Sequence, residues 1–148
     1  MVKVSMAALI TIFAVLAATE AYPQSTISGP IAAHVESVYD GDTFTVIAYV
    51  WPGMLARTSI RVNGIDTPEI RGKCAEEKAL AIRAKEFVQL LIARADNVIL
   101  LANVKFGKYA GRVIADVFIN NLLLSDLLIQ NQMARKYTGG KRSGWCSV

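Results

Sequence analysis

Residues 31–65, IAAHVESVYDGDTFTVIAYVWPGMLARTSIRVNGI, contain the pattern that decides the fold. Residues 31–39 and 43–50 are rich in β-branched and aromatic side chains, and Asp40-Gly41 between them favours a tight hairpin turn. The WPG tripeptide ends the second run, and residues 58–65 alternate apolar and polar side chains. This stretch therefore predicts three consecutive strands joined by short turns.

The remainder of the chain predicts two helices and two further strands. Residues 75–95 place apolar side chains at helical spacing, and residues 97–104 and 112–119 have the composition of strands. A second, apolar helix is predicted over residues 123–132, and the Gly- and Lys/Arg-rich tail from about residue 138 is predicted to be irregular. This order predicts an α+β, β-rich fold: a five-stranded OB-type barrel with a helix after strand 3 and a C-terminal helix.

The N-terminal residues predict an export signal. Residues 4–18 carry no charged side chain and follow a single lysine, a length typical of a secretory signal rather than of a spanning helix. We therefore interpret residues 1–21 as a signal peptide, residues 22–30 as a leader and residues 31–148 as the folded domain. A secreted or periplasmic protein is expected, without stable membrane association after cleavage; an uncleaved N-terminal anchor is the alternative.

Composition narrows the possible chemistry. The formal net charge of +4 favours a polyanionic partner such as nucleic acid, although many small secreted proteins are basic. The chain has one histidine, His34, and two cysteines, so a pair of catalytic histidines is excluded and a zinc cluster lacks the usual ligands. GxSxG, Walker A and GxGxxG motifs are absent from the sequence. Any catalysis must therefore rest on carboxylates and arginines, with or without an oxygen-binding metal.

Three candidate metal ligands occur where predicted strands end. Asp42 follows the first strand and Asp66 follows the third, where a barrel can bring carboxylates together. With the backbone carbonyl of Thr67 they would form a partial oxygen cage, the ligand type that hard divalent cations prefer. In isolation, each motif also has a purely structural interpretation, as a turn or as the entry to a helix.

Arginine and glutamate side chains near these positions suit phosphate chemistry. Arg61 and Arg112 could bind a phosphate group, because a guanidinium matches phosphate oxygens in a bidentate geometry and stays charged. Glu69 could accept a proton from an attacking water. The combination predicts a metal-assisted phosphodiesterase.

At these residues the chain resembles the staphylococcal nuclease (thermonuclease) family. The matching segments are VYDGDTFTV, IRVNGIDTPEI, KYAGRVIADVFI and NQMARKY, which together extend from about His34 to about Tyr137. The resemblance implies a calcium-dependent nuclease on an OB-type barrel, which cleaves DNA and RNA, preferably single-stranded, to 3′-phosphate products. A monomer is the default expectation.

The resemblance also implies residue roles. Asp42, Asp66 and Thr67 correspond to the ligands of one Ca²⁺ ion. Arg61 and Arg112 correspond to the phosphate-binding pair, and Glu69 to the acidic residue that orients or deprotonates the attacking water.

The sequence departs from the family pattern at three places. The segment after Glu69, residues 70–74, is shorter than the family's flexible loop. Tyr109, a candidate phosphate contact, is separated from Arg112 by one residue more than usual. Tyr137 only loosely matches the family's base-stacking tyrosines, so it is equally compatible with a substrate contact and with capping the core.

The two cysteines and the basic tail leave alternatives open. The chain has an even number of cysteines, Cys74 and Cys146, and is expected to be exported. Both facts suggest a disulfide, with two free thiols as the alternative. Lys136, Lys141 and Arg142 form a basic tail that could hold a nucleic-acid backbone or could simply be solvated.

Two functions besides a nuclease remain in competition. A catalytically silent nuclease-like barrel would bind nucleic acid or protein without cleaving it. A structural or adhesion protein is disfavoured, because the sequence has no internal repeats and no extended exposed apolar pattern.

Overall fold

The computed structural model describes residues 26–146, and within them the chain forms a small β-rich domain with two helices. The elements are β1 (Ile31–Val38), β2 (Thr43–Trp51), β3 (Met54–Val62), β4 (Ile65–Asp66), α1 (Ala75–Ala93), β5 (Val98–Phe106), β6 (Arg112–Ile119), β7 (Leu122–Leu123), α2 (Leu124–Gln130) and β8 (Arg135–Lys136). The predicted signal peptide, residues 1–21, lies outside the described residues. Among the residues described, no helix is long and apolar enough to cross a membrane.

Five long strands close into a barrel. Their order is β3-β2-β1-β5-β6, and a parallel pairing of β6 with β3 closes the sheet, whereas the other neighbours are antiparallel. A register shift between Val35 and Ser37 marks a bulge in β1. Closure pairs strands that would otherwise have free edges. The α+β, OB-type barrel expected from the sequence is confirmed.

The barrel core is built from alternate residues of the long strands and from both helices. Phe44, Val46 and Ile60 are almost completely buried between the strands. α1 contributes Val88 and Ile92 to the same cluster, and α2 contributes the residues Leu124 and Leu128. Because one cluster joins the helices to the sheet, the loops at the barrel's edge are attached to a rigid base.

A two-residue strand, β4, lies between β3 and α1, so the first helix follows a fourth strand rather than the third. β4 pairs with β8, and in this register Ile65 lies opposite Lys136 and Asp66 lies opposite Arg135. Two residues are too few to show a periodic side-chain pattern, which is why the sequence did not indicate either strand. The pairing places the start of the C-terminal tail beside Asp66.

The connection between β1 and β2 is not the predicted tight hairpin. The backbone N–H groups of Tyr39 and Asp40 both donate to the carbonyl of Thr43, at 2.9 and 3.2 Å. The carboxylate of Asp40 accepts a hydrogen bond of 3.1 Å from the N–H of Asp42, the pattern of an Asx turn. Gly41 is not among the residues with positive φ, so the left-handed turn that Asp-Gly favours is not formed.

Packing explains the glycine at position 41. A Cβ atom there would lie 3.0 Å from the Cβ of Ala84 in α1 and 3.1 Å from the Cγ2 of Thr67. Both neighbours are buried. The absence of a side chain at Gly41 therefore lets α1 and the Thr67 segment approach the β1–β2 connection.

We expect Gly41→Ala to lower the free energy of unfolding by about 1–3 kcal/mol, the usual cost of overpacking a close contact. Urea unfolding of the purified protein measures this. Gly144→Ala is the control, because a Cβ at Gly144 meets no described atom within 4 Å; a change within about 0.5 kcal/mol is expected there. Equal effects of the two substitutions would contradict the packing argument.

Candidate active site

The β1–β2 connection, the end of β3 and the segment after β4 meet at one place on the barrel. The N–H of Val62 donates to the carbonyl of Asp42 at 2.8 Å, which joins the connection to β3. A cavity of about 300 Å³ opens here. The predicted site residues that line it are Asp42, Arg61, Thr67, Glu69 and Arg112. Asp66 lines an adjoining cavity, which shares Thr67 and Glu69 with the first.

Asp42 is held by three neighbours. Its Oδ1 lies 2.9 Å from Nη1 of Arg61 and accepts a hydrogen bond of 2.8 Å from the hydroxyl of Thr43. Its Oδ2 accepts the N–H of Thr67 at 3.3 Å. The side chain of Asp42 is 3% exposed and that of Arg61 is 15% exposed, so little water screens the ion pair. Removing either partner would leave a buried charge.

One carboxylate oxygen of Asp66, Oδ1, accepts no hydrogen bond from the residues that the structure describes. Nε of Arg142 lies 3.0 Å from its Oδ1 and Nη2 of Arg61 lies 3.7 Å away, but neither donates in hydrogen-bonding geometry. The Oδ2 atom accepts the indole N–H of Trp145 at 3.3 Å. Burial raises the pKa of the Asp66 carboxyl, whereas Arg142 and Trp145 act in the opposite direction.

The donor atoms fit a hard divalent cation. Asp42 and Asp66 supply carboxylate oxygens, and Thr67 follows Asp66 directly, so its carbonyl belongs to the same segment. The Oδ1 atom of Asp66 is buried and has no hydrogen-bond donor within residues 26–146, and a bound cation would compensate for this. A set made only of oxygen atoms suits Ca²⁺ or a similar ion.

Asp40 is a third buried carboxyl group at the site, which the sequence indicated only as part of a turn. It lines the same cavity as Asp42. Burial, reinforced by the nearby charge of Asp42, raises the pKa of Asp40 to about 6. The Asp-Gly-Asp spacing was the available signal, but only the Asx turn shows that the first aspartate faces inward.

We expect Asp40→Asn to stabilise the metal-free protein at pH 7. The pKa of Asp40 is higher in the folded than in the unfolded state, so its ionisation destabilises the fold as the pH rises from about 4 to about 6. An asparagine keeps the acceptor oxygen without the charge. In urea unfolding with chelator, the free energy of unfolding of Asp40→Asn should exceed that of wild type by a difference that grows between pH 4 and pH 6 and then stays constant. A difference in stability that does not vary over this interval would contradict the raised pKa of Asp40.

Glu69 lies on a short loop that a second glutamate organises. The buried carboxylate of Glu77, in the first turn of α1, accepts the N–H of Lys73 at 2.9 Å and that of Glu69 at 3.4 Å. A Cβ at Gly72 would lie 2.5 Å from the Glu77 side chain, so a larger residue here would displace the Glu77 carboxylate. The Glu69 side chain is 56% exposed and pairs with Arg142. The sequence pattern did not distinguish Glu77, because a glutamate in a helix's first turn is common.

The two tyrosines proposed as substrate contacts lie apart from the carboxylates. Tyr109 is 63% exposed and does not line the 300 Å³ cavity; its ring centroid is 5.6 Å from the guanidinium carbon of Arg112. Tyr137 lines a separate cavity of about 210 Å³, which it shares with Arg61. Its hydroxyl donates to the carbonyl of Gly140 at 2.8 Å. Neither tyrosine therefore lies against the candidate metal ligands.

A disulfide joins Cys74, at the start of α1, to Cys146 in the tail. The tail brings Arg142 and Trp145 to the site, where both contact Asp66. The two sulfur atoms and Glu77 also form a compact group of potential metal-binding atoms, but sulfurs bonded to each other offer no thiolate. This group is therefore structural, and the oxygen-rich site remains the metal candidate.

A comparison with protein-family models decides the relationship. The model described as staphylococcal nuclease homologue matches residues 59–144, more than half of the chain. The chain belongs to the staphylococcal nuclease family. The matched range includes Arg61, Asp66, Glu69 and Arg142, whereas Asp42 lies before it and joins the site through its contacts. No curated protein sequence matched the chain.

Proposed function

We propose that this protein is an exported, calcium-dependent endonuclease that hydrolyses phosphodiester bonds of DNA and RNA and leaves 3′-phosphate ends. The observation that supports it is the cavity in which Asp42, Thr67, Arg61, Glu69 and Arg112 meet. Membership of a nuclease family, which is generally metal-dependent, agrees with this chemistry. The disulfide between Cys74 and Cys146 is consistent with export.

In this proposal, Asp42, Asp66 and the carbonyl of Thr67 hold the cation. A bound Ca²⁺ would polarise a phosphoryl oxygen and offset the charge that builds up during hydrolysis. The guanidinium groups of Arg61 and Arg112 bind the remaining phosphoryl oxygens. The carboxylate of Glu69 accepts a proton from the attacking water, whose oxygen bonds to phosphorus while the bond from phosphorus to the 5′-oxygen breaks and that oxygen takes a proton from solvent.

The proposed substrate is preferentially single-stranded nucleic acid, and the proposed active form is a monomer. A net charge of +4 favours a polyanion. Tyr109 is exposed beside Arg112 and offers an aromatic face to an unpaired base, and Tyr137 is a second candidate beyond Arg61. Double-stranded DNA would present its bases only after local opening.

The test uses the purified protein on single-stranded DNA and RNA with Ca²⁺, with Mg²⁺ or with chelator. We expect cleavage that requires Ca²⁺, produces 3′-phosphate ends and is lost in Glu69→Gln. Glu76→Gln is the matched control, because Glu76 is an exposed carboxylate on α1 that lines none of the cavities described above. Binding that weakens with salt, without cleavage under any metal, would instead identify a catalytically silent barrel.

A further inference from the structure

The C-terminal tail has no helix or strand between residue 137 and Cys146 among the described residues, yet its position is defined by several contacts. The N–H of Tyr137 donates to the carbonyl of Gly64 at 2.9 Å, directly after β8 pairs with β4. Further along, Arg135 donates to the carbonyl of Gly144 at 2.7 Å. The disulfide to Cys74 closes the segment. The tail is thus anchored at both ends.

Trp145 fixes the distal part of the tail against the active site. The guanidinium carbon of Arg135 lies 3.7 Å from the centroid of the Trp145 ring, within the range of a cation–π interaction. The indole N–H points to Oδ2 of Asp66 at 3.3 Å. A tail residue therefore contacts each carboxylate oxygen of Asp66, because the guanidinium of Arg142 lies beside Oδ1.

Arg142 is the tail residue that enters the site. Its Nε lies 3.0 Å from Asp66, and its Nη1 is paired with Glu69. The side chain is 39% exposed, so part of the guanidinium still faces solvent. Arg142 lines the 300 Å³ cavity together with three other arginines, Arg61, Arg71 and Arg112.

A second cavity, of about 460 Å³, continues from the first between the tail and the loop that carries Glu69. The two cavities share Thr67, Glu69, Arg71 and Arg142. Cationic side chains line the second cavity from both sides, namely Arg71 and Lys73 from the loop and Lys141 and Arg142 from the tail. Its carboxylates are already engaged: Glu77 by backbone N–H groups, and Asp66 and Glu69 by Arg142.

We propose that this second cavity, the tail groove, binds a backbone phosphate next to the scissile one, and that Arg142 is its main phosphate-binding residue. The inference rests on the proposed function in that its ligand is a nucleic-acid strand crossing the first cavity. A guanidinium suits this role because it stays charged and can offer two N–H groups to a phosphate. The disulfide holds the tail, and thus the groove, in place.

The test measures binding without cleavage. A fluorescein-labelled single-stranded deoxythymidine octamer is titrated with the full protein in chelator at several salt concentrations, and anisotropy gives Kd. Each phosphate contact to a single strand contributes about 0.7 to the slope of log K against log salt. We expect Arg142→Ala to weaken binding about tenfold at low salt and to reduce the slope by about 0.7.

The matched control is Arg83→Ala, which removes one positive charge from an exposed position of α1 that lines none of the cavities described above. It should leave the slope unchanged, and Arg142→Lys should retain most of it. The double variant Cys74→Ser/Cys146→Ser should lose part of the slope that Arg142→Ala loses, since the disulfide is one of several contacts that hold the tail. Circular dichroism checks that each variant is folded.

Two results would overturn the inference. An Arg142→Ala slope equal to that of Arg83→Ala would show that the arginine contacts no phosphate. Tighter binding by Arg142→Ala would show that the tail blocks the site instead. Because the readout is binding in chelator, a wild-type protein that binds but never cleaves would contradict the proposed nuclease function while leaving this result interpretable.

Discussion

Replacing Arg61 with alanine should lower the rate of phosphodiester cleavage by about 10²–10³-fold, the usual cost of removing one group that stabilises charge in a transition state. Arg61 lines the cavity together with Glu69 and Arg112 and lies 2.9 Å from Asp42. Its loss therefore removes a phosphate-binding group and disturbs a candidate metal ligand. Single-turnover cleavage at saturating Ca²⁺ measures the chemical step.

The same substitution should also destabilise the metal-free fold. Arg61 balances the buried carboxylates of Asp42 and Asp66, and breaking a buried ion pair costs about 3–5 kcal/mol when one charge remains. Urea unfolding in chelator should show this loss, and added Ca²⁺ should recover part of it.

Arg57→Ala provides the control on the same strand. Arg57 pairs with Glu36, but its side chain is 70% exposed, and an exposed ion pair contributes about 0–1 kcal/mol. Both cleavage and stability should therefore stay close to wild type. If Arg61→Ala cleaved within tenfold of wild type while Arg57→Ala behaved normally, Arg61 would have no part in the reaction.

Removing the disulfide should lower the free energy of unfolding by about 4 kcal/mol. Cys74 and Cys146 are 72 residues apart, and the chain-entropy model gives about this value for a loop of such length. The effect acts mainly through the unfolded chain, which gains freedom when the loop opens. Urea unfolding of Cys74→Ser/Cys146→Ser, beside wild type with and without reductant, measures it.

The reductant supplies the control for this prediction. Wild type should lose stability on reduction, whereas the double variant should be insensitive to reductant. A difference below about 1 kcal/mol between oxidised and reduced wild type would contradict the entropic argument. Such a result would mean that the bond does not restrict the unfolded chain as its spacing suggests.

The barrel strands could be predicted because their signals are local. β6 occupies the predicted residues, Arg112–Ile119, and β1 and β2 differ by one residue at one end. β3 begins at Met54, four residues before its predicted start, because the pairing with β2 continues to the turn itself, where Trp51 lies opposite Met54. The alternation of apolar and polar side chains does not indicate where the pairing between the two strands of a hairpin ends.

As with the strands, the positions of the helices could be predicted from the sequence, but some of their ends could not. α1 begins at the predicted Ala75 and ends two residues early, at Ala93, while α2 is shorter than predicted at both ends. Residues with positive φ, Asp96 and Asn97 after α1 and Gln132 after α2, accompany these ends. Asparagine and aspartate tolerate this conformation, so such residues indicate an end only approximately.

The candidate site was predictable only where residues carry a family motif. Asp42, Arg61, Asp66, Thr67, Glu69 and Arg112 could be named before the fold was known, although their roles stay predictions. Arg142 and Trp145 lie 76 and 79 residues after Asp66 in the sequence, and nothing in the spacing joins them. A basic residue in a glycine-rich tail has the same local pattern whether it is solvated or paired.

By itself, the sequence determined the order of the five long strands and two helices, the closed β-rich architecture and the groups available for chemistry, since periodicity and residue type are properties of neighbouring positions. Only the tertiary structure decided that Asp40 faces inward, that β4 pairs with β8 and that the tail delivers Arg142 to Asp66 and Glu69. These features depend on burial and on contacts between distant segments. Their free energies arise only when the barrel closes and excludes water from the site.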